Sequence, residues 1–186
     1  MKIIGITGSI ASGKTTTAQL MAGKKYPLFN ADRIVSSLYK KKRFIGTLIK
    51  AFKLKKKEKI KDQIKSIIKQ NKNNLSKLEI IIHPFVQKEM LKFLKKKNKI
   101  IFLEIPLLLE KKLNRHFNKL IFVGANKNLR LRRYLQKKGD REIFNLLDKK
   151  QLSPDIKKKI CDFTISNNYS LANLRKNVKN FMKIYE

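Results

Sequence analysis

Three observations predict an α/β fold with a central parallel sheet flanked by helices. Short apolar runs rich in β-branched residues alternate with longer lysine-rich stretches of helical pattern. The strongest run, Ile100–Ile105, has the near-continuous apolar character of a strand buried on both faces. The first run, Lys2–Thr7, passes through a glycine-bounded loop straight into a helical pattern. Parallel strands need a long crossover, and a helix supplies it, so this alternation suits a parallel sheet covered on both sides.

In chain order, Lys2–Thr7 reads as the first strand, Gly8–Gly13 as a loop and Lys14–Gly23 as a helix closed by its glycine. Pro27–Phe29 is a brief second strand and Ala31–Tyr39 a helix. Residues 40–98 are lysine-rich and helical in pattern. Asn71, Asn73 and Asn74 divide them into two helices, the second running from Ser76 to Lys97. Pro84 lacks an N–H, which predicts a kink or restart near His83. Ile100–Ile105 and Leu120–Val123 follow as strands, then basic helices over Asn128–Lys137 and Arg141–Lys149. Ser153-Pro154-Asp155 starts a further helix, with a Ser cap, Pro at the first position and an acid in the first turn. Phe163–Ser166 is the last strand and Ser170–Tyr185 the closing helix.

The 186 residues suit a single domain with its own core. Lys and Arg total 46 against 13 acidic residues, a formal net charge of +33. Such a field favours polyanionic partners and says nothing of fold. The densest runs are Lys40–Lys42, Lys55–Lys57, Lys95–Lys97 and Lys157–Lys159, spread over the chain and mostly on faces a helix would expose, which reads as general basic bias rather than one nucleic-acid surface. The single cysteine, Cys161, excludes an internal disulfide, and no Cys/His spacing suits a metal centre. No apolar run approaches the length that spans a bilayer, and Ile3–Ile6 is too short for a signal peptide. A cytoplasmic location is the expectation.

Gly8-Ser9-Ile10-Ala11-Ser12-Gly13-Lys14-Thr15 matches G-x-x-x-x-G-K-[ST] at every fixed position, with a strand before it and a helix after. The glycines let the chain wrap round a phosphate, so that backbone N–H groups point inward and the helix N-terminus adds its dipole. Lys14 reaches the β/γ-phosphates and the Thr15 hydroxyl suits Mg²⁺. Gly8, Ser9, Ala11, Ser12, Gly13, Lys14, Thr15 and Thr16 are thus the predicted nucleotide-binding residues. The pattern is shared by GTPases, ATPases and small-molecule kinases. Asn126-Lys127-Asn128-Leu129 lacks the aspartate of the GTPase base-reading motif N-K-x-D, and the modest size favours a small-molecule kinase.

Four further segments resemble the dephospho-CoA kinase family, in the family's order. Asn30-Ala31-Asp32 stands where the family has D-A-D. Leu78-Glu79-Ile80-Ile81-Ile82-His83-Pro84-Phe85-Val86 is similar to L-E-x-I-x-H-P-x-V. Ile105-Pro106-Leu107-Leu108-Leu109-Glu110 is similar to its P-L-L-x-E, and Gln151 through Asn167 resembles its Q…D-x-x-I-x-N tail. The resemblance implies a P-loop NTPase fold with a helical substrate lobe (40–97) and a basic lid (126–149) in a single domain of residues 1–186. It also implies phosphorylation of the ribose 3′-hydroxyl of dephospho-CoA with ATP and Mg²⁺, the last step of coenzyme A synthesis.

On that resemblance Asp32 falls near the acceptor hydroxyl as base or positioning group, although it also reads as the cap of a helix beginning at Arg33. Glu104, ending its strand, is placed to hold Mg²⁺ through water, or to pair with a lysine. His83, Pro106 and Glu110 are expected on the substrate side; a lone His beside a proline is more often structural, so His83 is not read as catalytic, and Glu110 has a structural reading as well. Arg133 is the lid arginine expected to offset phosphate charge. Arg130 and Arg133, three apart, share a face with Lys137. The catalytic set is therefore Lys14, Asp32 and Arg133, and the metal set Thr15 and Glu104. Three departures stand out: Asn30 replaces the first acid of D-A-D, Lys137 replaces a second lid arginine, and 40–74 lacks the family's D-G-x-x-x-R, with Lys61 in the arginine's place.

The alternatives are another kinase acting on nucleosides or nucleotides, and a basic RNA- or membrane-binding protein without turnover. The expected partner is dephospho-CoA, with no specific nucleic acid and no membrane, and the expected state is a monomer.

Overall fold

A computed structural model of the chain describes residues 1–55, 59–96 and 98–185. Lys56, Lys57 and Lys97 of the predicted lysine runs lie outside the described residues. In chain order the elements are β1 (Lys2–Gly8), α1 (Lys14–Ala22), β2 (Leu28–Asn30), α2 (Ala31–Leu38), α3 (Lys42–Phe52), α4 (Ile60–Gln70) and α5 (Asn73–Leu94). Then come β3 (Ile100–Glu104), a 3₁₀ turn (Asn114–His116), β4 (Lys119–Gly124), α6 (Lys127–Gln136), α7 (Arg141–Lys149), α8 (Pro154–Ile160), β5 (Phe163–Ser166) and α9 (Leu171–Tyr185). They form two compact units: Met1–Asn30 with Lys97–Glu186, and Ala31–Lys96.

The first unit is built on a five-stranded sheet in the order β2-β3-β1-β4-β5. Each neighbouring pair is parallel. Its strands obey a period of two. Ile121 and Val123 join Ile4, Ile6, Ile100, Phe102 and Ile165 on one face, against Ala18 and Met21 of α1 and Leu174, Val178 and Phe181 of α9. Leu120 and Phe122 point the other way, into a cluster with Leu108, Leu109 and Cys161. Burying each such side chain contributes about 1.5–3 kcal/mol before entropy is counted.

Register matters most at the carboxyl edge. Asn30 sits beside Glu104, Glu104 beside Ile6, and Gly8 beside Val123, so β1, β2, β3 and β4 end together. The segment after β1 leaves from the middle of the sheet, between β3 and β4, as ligand-binding loops of open parallel sheets do.

The second unit is helical. Leu38, Phe44, Leu48, Ile64, Ile68, Leu75 and Leu78 are buried. The Phe44 ring meets Tyr39 and Phe85 edge-on, each with centroids 5.3 Å apart. Where two helices were expected over 40–97, three are present. α3 ends as Lys53 turns left-handed (φ 53°), a local stop that side-chain periodicity does not register. Asn71 does end α4, but Asn73 and Asn74 lie inside the first turn of α5 rather than between helices. The Asn71 Oδ1 accepts the Asn73 N–H at 3.0 Å and so ties the two helices across one residue. α5 runs through Pro84 as one element and does not restart at His83. Among the described residues, no helix is long and apolar enough to cross a membrane.

Candidate active site

The loop between β1 and α1 is shaped by two glycines with different tasks. At Gly8 a β-carbon would lie 2.5 Å from the Val123 carbonyl and 2.8 Å from Ser12 Oγ, so only glycine permits that approach. Gly13 is left-handed (φ 93°), and the non-glycine Ala11 shares that conformation (φ 58°). Ser12 N–H closes the loop on the Ser9 carbonyl at 3.1 Å. Gly13, capping α1, offers no side-chain cap, and the first turn of α1 carries no acid. The cap thus brings no side chain of its own to the N–H groups at the start of that helix, an end of the kind that suits a phosphate.

Lys14 folds back over this loop. Its Nζ donates to the Ser9 carbonyl at 2.9 Å, and the residue is only 8 % exposed. A cation and a ring of amides are thus held together in one partly enclosed place. Thr17 Oγ1 donates to the Gly13 carbonyl at 3.0 Å, bracing the first turn of α1.

Beside the loop, the end of β3 presents Glu104, 1 % exposed. Thr15 Oγ1 donates to Glu104 Oε1 at 2.7 Å, and Asn30 Nδ2 donates to Glu104 Oε2. The two expected metal donors, Thr15 and Glu104, therefore meet. Asn30, a departure from the family pattern, orients the carboxylate with its amide. Hydroxyl and carboxylate are hard oxygen donors of the kind Mg²⁺ takes. Among the described residues no group of three or more His, Cys, Asp or Glu could hold a metal. An ion here would thus draw its remaining ligands from phosphate oxygens and water.

Three side chains from distant sequence grip the loop. Gln151, in the α7–α8 linker, accepts the Ile10 N–H through Oε1 at 2.9 Å. Arg130 on α6 donates from Nη1 to the Ile10 carbonyl at 3.3 Å and to Asp148 Oδ1 at 2.6 Å, and from Nε to the Ala125 carbonyl at 3.1 Å. Asn167, just past β5, donates from Nδ2 to the Ser12 carbonyl at 2.8 Å. Gln151 and Asn167 are legible in the sequence only as members of the tail signature, and Arg130 only as a face-mate of Arg133. Their grip on the loop is invisible there, because the partners lie 120 to 155 positions apart.

Arg130 and Arg133 differ in circumstance. Arg130 is 3 % exposed and engaged. Arg133 Nη1 is buried yet has no hydrogen-bond partner among the described residues. Burial also pulls the Arg133 guanidinium below its ordinary pKa. An under-satisfied guanidinium stands to gain from an incoming anion.

Pro106 follows β3, and its carbonyl accepts the Thr7 hydroxyl at 3.3 Å. Glu110 is committed inside the unit: Oε1 accepts the Leu152 N–H at 2.9 Å and lies 2.8 Å from Lys157 Nζ, which is fully buried. Asp32 falls in the first turn of α2 and His83 within α5, both in the second unit. A cleft of about 670 Å³ opens in the first unit beside Ser9, lined also by Asn126, Arg130, Gln151 and Asn168.

A family model described as dephospho-CoA kinase matches residues 2–173. A dephospho-CoA kinase of Fusobacterium nucleatum is 35 % identical, with 96 % of each chain covered. One from Rickettsia bellii is 32 % identical over 98 % of this chain and 96 % of its own. A solved structure of dephospho-CoA kinase from Campylobacter jejuni superposes with a TM-score of 0.65 at 28 % identity, covering 98 % of this chain and 96 % of that one.

Proposed function

Since the chain belongs to the dephospho-CoA kinase family, we propose that it transfers the γ-phosphoryl of ATP to the ribose 3′-hydroxyl of dephospho-CoA, giving coenzyme A. The observation that carries this is the loop with Lys14 folded over it beside the Thr15–Glu104 pair.

In-line transfer asks little covalent chemistry of a protein and much alignment. The loop amides and the α1 N-terminus hold the polyphosphate. Lys14 exchanges the Ser9 carbonyl for phosphate oxygens, and Arg133, whose Nη1 has no hydrogen-bond partner among the described residues, takes up charge on the transferring group. Mg²⁺, held by Thr15 and Glu104, would supply further neutralisation of the β- and γ-phosphates. Asp32 orients the 3′-hydroxyl and receives its proton as the new P–O bond forms and the bond to the β,γ-bridging oxygen breaks. Asp32 also fits a plain first-turn helix acid, and its substitution decides between the two. Pro106, His83 and Glu110 belong to the substrate side on this reading, with 40–97 serving the acceptor and 126–149 acting as lid. The protein works as a cytoplasmic monomer, with neither nucleic acid nor membrane as its partner.

The test is coupled ADP release from the purified chain with dephospho-CoA, beside nucleosides and nucleoside monophosphates. Release dependent on dephospho-CoA is expected. Preference for a nucleoside or nucleotide, or salt-sensitive polyanion binding without turnover, would replace this reading with one of its rivals.

A further inference from the structure

We infer that Arg130 and Gln151 are positioning residues that hold one residue of the phosphate loop at both of its backbone hydrogen-bonding groups, linking the lid helices to the nucleotide cradle. The inference rests on the ATP-binding reading of that loop.

The residue held is Ile10. Its N–H goes to Gln151 Oε1 at 2.9 Å and its carbonyl receives Arg130 Nη1 at 3.3 Å. The next residue, Ala11, sits at φ 58°, where a β-carbon is disfavoured. A strained residue persists when its surroundings over-determine it, and here the preceding residue is clamped at both of its hydrogen-bonding groups. The loop's own bonds do not supply this, since the Ser12 to Ser9 turn closes around Ile10 without engaging it.

Each clamp is itself anchored. Arg130 is 3 % exposed and fixed by Asp148 of α7 at 2.6 Å and by the Ala125 carbonyl, with its guanidinium over the Phe144 ring at 5.7 Å. The α7–α8 linker is pinned one residue beyond Gln151, where Leu152 N–H meets Glu110, itself paired with buried Lys157. Arg130 thus spends its charge on the protein and divides labour with Arg133, whose Nη1 has no hydrogen-bond partner among the described residues. Any displacement of α6 or α7 is carried to Ile10 through Arg130, and a loop rearranged by nucleotide pulls on the same bonds in return.

The test compares wild type, Gln151→Ala, Arg130→Lys and their double variant in titrations with a fluorescent ATP analogue. KM for ATP, KM for dephospho-CoA and thermal midpoints are read alongside. Gln151→Ala should weaken nucleotide binding about three- to tenfold, the value of one net hydrogen bond. Its KM for dephospho-CoA should stay within about twofold and its midpoint close to wild type. The double variant should fall short of the product of the two single effects, because both residues act on the backbone of one residue, Ile10. Asp148→Asn, which keeps an acceptor for Arg130, should retain more affinity than Asp148→Ala. Unchanged nucleotide affinity in Gln151→Ala, an equal rise in both KM values, or strictly multiplicative single effects would each overturn the inference. Should Arg130→Lys not fold, Gln151→Ala and the Asp148 pair still decide it. Loss of dephospho-CoA turnover in wild type would defeat the proposed function while leaving the nucleotide titrations interpretable.

Discussion

Asn167 occupies the space that a β-carbon on Gly13 would need: the Asn167 amide nitrogen lies 2.1 Å from that position while donating to the Ser12 carbonyl at 2.8 Å. The last strand thereby closes the back of the phosphate loop. Gly13→Ala should lose nucleotide binding, since it adds this clash to about 1–2 kcal/mol for a left-handed alanine. Adding Asn167→Ala should restore only part of the affinity, because it relieves the clash and not the backbone cost. Titration with an ATP analogue reads both variants.

Lys14 and Asp32 are expected to separate in kinetics. Lys14→Ala should lower kcat about a hundredfold or more, as loss of a preorganised donor to the phosphates does, while circular dichroism reports an intact fold. Asp32→Asn should lower kcat by roughly a hundredfold with KM for ATP little changed. A near-normal kcat in Asp32→Asn would reduce Asp32 to a helix-turn acid.

Glu104 accepts from both Thr15 and Asn30. Glu104→Gln keeps the shape and removes the charge, so it should raise the metal concentration needed for turnover about tenfold or more. Mn²⁺ binding followed by electron paramagnetic resonance in the presence of ADP gives a readout independent of turnover. Unaltered Mn²⁺ affinity would remove Glu104 from the metal set.

Lys157 is fully buried against Glu110. Lys157→Met should cost about 3–5 kcal/mol, because it leaves a buried carboxylate without its countercharge. Lys157→Met with Glu110→Gln should recover much of that loss. Urea denaturation midpoints, with unchanged m-values, test the pair.

The Cys161 thiol is pushed up to about 11 from an ordinary 9.0, first by burial, then by Asp162 and Glu110, against the opposing effect of Lys157. At pH 8 the folded protein should resist alkylation there and react once unfolded. The sign of the linkage follows. Between about pH 9 and 11 the unfolded chain has released this proton and the folded chain still holds it, so stability falls as pH rises. Cys161→Ala should lessen that fall in denaturation midpoints measured at pH 8 and pH 10.5.

What the sequence determined by itself is what short-range chemistry encodes. The strand Phe163–Ser166 and the helix Arg141–Lys149 coincide with their predicted bounds, because alternation and helix-forming pattern are read within a few residues. Ser153 caps α8 as expected, its Oγ accepting from Ile156 N–H, a bond between neighbours in the chain. The loop Gly8–Thr15 was legible for the same reason: its glycines, lysine and threonine act at fixed local spacing. The split of 40–97 into three helices was not, since a left-handed Lys53 ends α3 with no residue-type signal.

Only the tertiary structure decided which side chains serve the loop. Register brings Asn30 beside Glu104 across 74 positions, and packing brings Gln151, Arg130 and Asn167 to Ile10 and Ser12 across more than a hundred. Hydrogen bonds act over about 3 Å, and a chain carries no local trace of which distant residue folding will bring within that reach.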